Sequence, residues 1–234
     1  MAQEMLSRSV FEEGMALLID KPYEWTSFDV VRKVRYLVKT RKVGHAGTLD
    51  PLATGLLIVC TGKMTKMIQQ YMAQEKEYEG TFVLGQTTPT YDLESEPGDV
   101  RPWQQLTLEH IREKTRAFTG TIQQVPPMHS AIKKDGKRMY ELARKGIHQE
   151  LEPRTITISS FDILEQEENR LTFRVVCSTG TYIRSLANDL GEALGCGAYL
   201  QALRRTRIGE FQVKEAYTMT TLPPFIAQQL SQNG

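Results

Sequence analysis

From Gly44 to Gly55 the sequence reads GHAGTLDPLATG, placing an ionisable histidine, His45, and a carboxylate, Asp50, in a glycine-rich stretch directly behind a basic segment. Ionisable side chains on an irregular backbone can do nucleophilic or acid–base chemistry, and a carboxylate can hold a reaction fragment covalently without a redox step. The same Asp50-Pro51 pair is also an ordinary turn former. His45 is likewise compatible with a solvated or hydrogen-bonded loop residue, so residue types alone leave both readings open.

Other chemistries fail on spacing. Gly62-Lys63 resembles the end of a phosphate loop, but Gly55 is too far upstream and Met64 stands where a magnesium-binding hydroxyl belongs. Gly195-Cys196-Gly197 lacks a third glycine and follows a helical pattern, so it is not a dinucleotide fingerprint. There is no GxSxG, and His45, His110, His129 and His148 are scattered without metal-ligand spacing. Cys60, Cys177 and Cys196 form no CxxC pair, which predicts buried free thiols rather than a zinc site or disulfide framework. A glycosidase would need a second carboxylate partnering Asp50, and no matching motif supplies one.

The elements that must position these residues follow from periodicity. Ala16 to Asp20 reads as a short buried strand stopped by Lys21-Pro22. Thr26 and Asp29 fit a capping box, and Val30, Val31, Val34, Leu37 and Val38 recur at helical spacing, leaving Arg32, Lys33, Arg35 and Lys39 mostly on other faces. Gly44 to Gly55 is expected to be loop, followed by strands at Leu56–Cys60 and Tyr78–Leu84. A helix is expected over about 108–118, closed by Gly120, then strands at Thr155–Ile163 and Leu171–Cys177. Thr181 is placed to cap a last helix with Ile183, Leu186, Ala187, Leu190 and Leu194 as its apolar stripe, ending at Gly195. Strands separated irregularly by helices predict an α+β fold, with a mostly antiparallel mixed sheet flanked by helices and loops.

At 234 residues the chain can bury a core unaided, and 40% hydrophobic with 24% charged residues is ordinary for a globular protein. We expect a single domain over 1–234. The longest apolar run is too short to span a membrane and the N-terminus lacks a secretory pattern, so a cytoplasmic protein without a membrane partner is expected. Net charge is only +1, but bases cluster at 32–42, at 133–145 and at Arg204, Arg205 and Arg207. Acids collect elsewhere, at Asp92, Glu94, Glu96 and Asp99 and at Glu165, Glu167 and Glu168. A near-neutral total can therefore conceal a positive face, or each cluster can be a solvated surface.

GHAGTLDPLATGLL closely resembles the signature of the TruB-type tRNA pseudouridine-55 synthases. IDKP at Ile19–Pro22 with Thr26-Ser27, Tyr78, QVPPMHSAIK at Gln123–Lys133, YELARKG at Tyr140–Gly146 and CSTGTYIRSLANDLG at Cys177–Gly191 are similar to family motifs in the same order. Glu24 departs from the family pattern, standing where a glycine is usual. The resemblance covers about Ala16 to Arg205. It implies a pseudouridine synthase fold that isomerises the T-loop uridine of tRNA, with no metal, cofactor or energy source and no obligate protein partner.

It also implies roles. Asp50 is the nucleophile, attacking ribose C1′ or base C6. Arg184 is its cation, and the sequence gives an independent hint: a positive side chain in the first turn of a helix opposes the helix dipole unless an anion compensates. Tyr78 stacks on the base and helps remove the C5 proton; Tyr182 and Leu203 wall the uridine pocket. Each of these three could equally be plain core, and Arg184 could simply reach water. His45 fills the gap left by a flipped uridine. Lys21 supports the active-site loop, with phosphate contact and surface lysine as competing roles. An RNA-gripping insertion is expected near 124–152, where Asp135-Gly136 makes a good turn and Lys133 and its neighbours supply charge. The T arm of tRNA is the implied partner. No C-terminal RNA-binding domain is evident after Phe211.

Overall fold

A computed structural model describes residues 9–130, 133–134, 137–138 and 151–232. In chain order its elements are α1 (Val10–Glu13), β1 (Ala16–Lys21), α2 (Ser27–Val38), β2 (Val43–Ala46), β3 (Ala53–Thr61), α3 (Ile68–Ala73), β4 (Lys76–Leu84), α4 (Leu108–Thr115) and β5 (Gly120–Gln124). There follow the short β6 (Lys133–Lys134) and β7 (Lys137–Arg138), then β8 (Arg154–Glu167), β9 (Arg170–Cys177), α5 (Ile183–Ala193), β10 (Ala198–Ile208), β11 (Phe211–Gln212) and α6 (Leu222–Ser231). The chain forms two compact units, Met1–Lys76 with Arg204–Gly234, and Glu77–Leu203.

In the first unit β3 is the organising strand. It pairs antiparallel with β1, from Ala16↔Cys60 to Lys21↔Gly55, and with β2, from Val43↔Thr61 to Ala46↔Ile58. Successive side chains of a strand point to opposite faces. Leu57 and Val59 accordingly join one core with Leu17, Ile19, Val30, Val34, Val38, Leu222 and Ile226. Leu56, Ile58 and Cys60 join another with Ala46 and Ile208. Burial on both faces explains why β3 reads as an unbroken apolar run. Helix α2 begins as its sequence predicts: Thr26 Oγ1 accepts from Asp29 N–H at 3.0 Å while Asp29 Oδ2 accepts from Thr26 N–H at 2.9 Å. Val30, Val31, Val34 and Val38 of its apolar stripe are buried, Leu37 is partly buried, and Arg32, Lys39, Arg41 and Lys42 are exposed.

Two expectations change here. The loop expected over 44–55 is shorter, because β2 takes its first residues and β3 its last. Gly44 and Gly55 are strand glycines that admit close neighbours. A Cβ on Gly55, which has φ +102°, would sit 2.3 Å from the Arg205 carbonyl oxygen, and one on Gly44 would sit 2.8 Å from Ile68 Cδ1. The cluster of Arg204, Arg205 and Arg207 is not a free basic surface. It lies on β10, where Arg204 grips Asp20 through two bonds of 3.0 and 2.7 Å, Arg207 pairs with Glu75 at 3.0 Å, and Arg205 is buried.

The second unit has strand order β10–β4–β9–β8–β5. β8 and β9 form a long antiparallel hairpin, and β5 pairs antiparallel with β8 from Gly120↔Ile158 to Gln124↔Arg154. Its core contains Phe82, Phe173, Leu171, Val175, Ile183, Leu186, Ala187 and Leu190, with the Phe82 and Phe173 rings stacked at 4.0 Å between centroids. The expected helix over 108–118 ends at Thr115 and tightens into a 3-10 turn to Phe118 before Gly120 at φ +92°. Thr181 does not cap α5: its hydroxyl donates to Ser178 O at 3.0 Å, and Tyr182 occupies the cap position. β6 and β7 pair antiparallel, with Lys133 opposite Arg138 and Lys134 opposite Lys137. Residues 131–132, 135–136 and 139–150 of the expected RNA-gripping insertion lie outside the described residues.

The fold class is α+β with mostly antiparallel strands, as the sequence predicts. Among the described residues no helix is long and apolar enough to cross a membrane. Because Gly55 combines a positive φ with backbone contact, Gly55→Ala should destabilise the protein by about 2 kcal/mol or more in urea unfolding. A cost below about 0.5 kcal/mol would mean that β10 does not approach β3 this closely.

Candidate active site

Asp50 is partly exposed, at the centre of a short turn whose backbone is held at nearly every residue. Lys21, the last residue of β1 and fully buried, donates through Nζ to Pro22 O at 2.9 Å, Trp25 O at 2.5 Å and Pro51 O at 3.2 Å. The Glu24 N–H adds a second bond to Pro51 O at 2.9 Å. Ser27, in the first turn of α2, accepts from Leu49 N–H at 2.9 Å and donates to Leu49 O at 3.2 Å. Arg205 donates to Gly47 O at 3.2 Å and to Leu56 O at 2.7 Å. Ala53 N–H closes the turn on Asp50 O at 3.1 Å. Glu24 itself sits at φ +65°, the left-handed conformation a glycine would adopt more easily, so the family departure at this position keeps the turn and accepts its strain.

Two buried cations beneath a carboxylate-bearing turn shape its electrostatics. Burial pushes the Lys21 ammonium down to about 8; the Asp50 charge opposes that shift and the Arg205 charge adds to it. Lys21 is fully buried with its ammonium on three main-chain carbonyls, not a surface lysine. Burial likewise lowers the His45 imidazole below the usual histidine range, opposed by its backbone contact with Gly47 and reinforced by Arg205. His45 is only partly exposed, and its Nδ1 is buried without a hydrogen-bond partner among the described residues. It is not the freely solvated loop histidine that residue type allows.

Arg184 lies in the first turn of α5 in the second unit and is buried. Its guanidinium donates to Thr90 O at 3.2 Å and His129 O at 2.8 Å, and its Nε lies 3.6 Å from Asp92 Oδ2. An anion thus offsets the unfavourable dipole position within this unit. Asp92, which the sequence groups with a solvated acidic cluster, is itself buried. Tyr182 caps α5, held on both sides by the buried Gln124, which accepts from its N–H at 2.8 Å and donates to its carbonyl at 3.1 Å. Tyr78 and Leu203 are partly buried against the core of the second unit, each with some surface left to solvent. For Lys133 the structure gives only a backbone place, on β6.

Sequence reasoning missed Ser27, Arg205, Asp92 and Gln124. Ser27 and Gln124 fall inside motif stretches, but nothing local shows what their side chains reach. All three cysteines are buried free thiols as expected, and burial pushes Cys60 up to about 11. Among the described residues no group of three or more His, Cys, Asp or Glu side chains could hold a metal ion.

An imidazole whose pKa is lower folded than unfolded binds fewer protons in the native state. Its contribution is intact above the ordinary histidine value of 6.5 and is lost as pH falls below it. His45→Gln should therefore lose less stability than the unsubstituted protein between about pH 7.5 and about pH 5.5 in denaturant titrations. Parallel losses in the two proteins would remove His45 from this account.

Comparison with known proteins places this arrangement in a family. Residues 35–183 match the model of the TruB family pseudouridylate synthase N-terminal domain, and residues 184–232 match that of the tRNA pseudouridylate synthase B C-terminal domain. The chain is 49% identical over 225 residues to the tRNA pseudouridine synthase B of Phocaeicola vulgatus, covering 94% of this chain and 96% of that one. It is 52% identical over 215 residues to that of Flavobacterium johnsoniae, covering 89% and 94%. Among solved structures it is similar to a chain of a Cbf5-Nop10-Gar1 complex, with 31% identity, a TM-score of 0.72 and coverage of 92% of this chain and 55% of that one. A chain from an H/ACA RNP bound to a substrate RNA containing 2′-deoxyuridine gives 28%, 0.67, and 96% and 60% coverage. The chain thus spans only part of those two solved chains, but nearly the whole of the two curated relatives named. With its ordered motifs, its fold and a family model matching well over half its length, the chain belongs to the TruB family of pseudouridylate synthases.

Proposed function

We propose that this isomerase acts on tRNA, converting the T-loop uridine at position 55 to pseudouridine with Asp50 as the nucleophile. The observation that carries the reading is Asp50 itself: a partly exposed carboxylate on a turn pinned by buried donors, in a chain whose near full-length relatives are named for tRNA pseudouridine synthesis. The reaction breaks the N1–C1′ bond, turns the uracil over and joins C5 to C1′. C5 gives up a proton and N1 takes one up, so no atoms or electrons are gained or lost overall. A carboxylate can hold the separated fragment, whether it adds to C1′ of the ribose or C6 of the base.

Uridine in a structured loop must leave its stack first, at a cost of a few kcal/mol. His45, held neutral by burial, suits an uncharged filler for the space the base vacates. Tyr78 can stack on the base and use its phenol in removing the C5 proton, and Tyr182 and Leu203 offer an aromatic and an apolar wall. Arg184 supplies a buried guanidinium whose charge the Asp92 carboxylate offsets at 3.6 Å. Lys133, on β6 where it pairs with β7, fits phosphate contact with the T arm. A cytoplasmic enzyme acting on tRNA completes the reading.

Asp50→Asn should abolish pseudouridine formation while leaving tRNA affinity within about tenfold, or ~1.4 kcal/mol, because the substitution removes the nucleophile and keeps the shape of the turn. Turnover assays paired with filter binding check this. Substantial turnover by the variant would overturn the assignment of Asp50.

A further inference from the structure

The backbone on either side of Asp50 is held by side chains, Ser27 at Leu49, Lys21 at Pro51 O and Arg205 at Gly47 O. Ser27 is buried, and both hydrogen-bonding functions of its hydroxyl are used on one residue, Leu49, immediately before Asp50. That places its constraints on the 48–49 and 49–50 peptides, the second of which helps set the direction of the Asp50 Cα–Cβ bond. Ser27 is itself positioned by local sequence, since the Thr26–Asp29 capping box fixes the turn of α2 in which it lies. Leu49 is also buried, so its side chain cannot move outward to compensate.

Arg205 acts at the other end of the turn. It is the largest fully buried side chain among the described residues, and its guanidinium bridges Gly47 O and Leu56 O, tying the entry of the turn to β3. The backbone of β10 can approach this closely because Gly55 has no side chain. Among the described residues no carboxylate forms an ion pair with Arg205, so carbonyl dipoles of the turn and of β3 are its polar partners. A buried cation satisfied in this way holds the carbonyls in place for as long as it stays buried.

We propose that Ser27 and Arg205 are positioning residues for Asp50, locking the 47–51 turn so that its carboxylate meets the uridine in one orientation. The inference rests on the reading of Asp50 as nucleophile. A misplacement of about 1 Å at a reacting group can cost on the order of 100-fold in rate, and a freed turn of this length has ample play to produce it.

The test uses the full chain and a tRNA transcript. Single-turnover rate at saturating enzyme, RNA Kd and Tm are measured for Ser27→Ala, Arg205→Lys and Asp50→Asn. Arg205→Lys keeps the charge and removes the two-carbonyl bridge. Both positioning variants should lose about 10- to 100-fold in single-turnover rate with Kd within about threefold, among molecules shown to be folded. Because the two act through different elements, either one that folds decides the matter. A folded variant with unsubstituted rate overturns the inference, as does a rate loss matched by an equal loss of binding, the signature of general structural damage. If Asp50→Asn is inactive while Ser27→Ala is at full rate, positioning alone fails. If Asp50→Asn turns over, the nucleophile assignment fails and takes the inference with it.

Discussion

The buried ammonium of Lys21 and the buried guanidinium of Arg205 are held by main-chain carbonyls, and the turn bearing Asp50 exists in its present form because those carbonyls are there to receive them. Burying a cation is costly unless its donors are satisfied. Lys21 uses three carbonyls and Arg205 two, and three of the five belong to the 47–56 stretch. The cost of desolvation therefore constrains the backbone. If the turn shifted, Lys21 would lose its bond to Pro51 O and Arg205 its bond to Gly47 O, and the protein would lose stability along with geometry. Ser27 adds two neutral hydrogen bonds at Leu49, between the anchors at Gly47 and Pro51.

The second unit fixes its functional candidates by the same means. Gln124 is a buried amide spent wholly on the N–H and C=O of Tyr182, where α5 begins. Arg184 is held by two carbonyls and the Asp92 carboxylate. In both units a polar side chain that could have pointed to water is used on a neighbouring backbone segment. Such bonds contribute only about 0.5–1.5 kcal/mol net each, rising to about 1.5–3 for charged groups, but leaving one unmade costs more. That asymmetry favours a single geometry over near alternatives.

Elements whose logic is local were legible in the sequence. Helix α2 announced itself through its capping box and apolar period, and β9 lies where the sequence predicts a strand, at Leu171–Cys177. The site turn was found through its motif resemblance rather than through any pattern of spacing, since an Asp-Pro pair among glycines describes many ordinary turns. What stayed hidden depended on distant partners. Arg204, Arg205 and Arg207 look like a basic surface until Asp20, 184 residues away, and Glu75, 132 residues away, are seen to hold two of them and buried carbonyls the third. Asp92 looks solvated among its acidic neighbours until Arg184 takes it inside. Gly44 and Gly55 signal a loop, and the structure uses them as places where another chain segment comes close.

The most direct test of the account is site-resolved mass mapping of unmodified tRNA after incubation with the purified protein. A single pseudouridine at position 55 in the T loop, with the RNA chain intact and no free uracil, is the predicted result. Release of uracil would mean that the carboxylate cleaves the glycosidic bond without rejoining it, and an unmodified T loop would mean that the pinned turn serves another substrate.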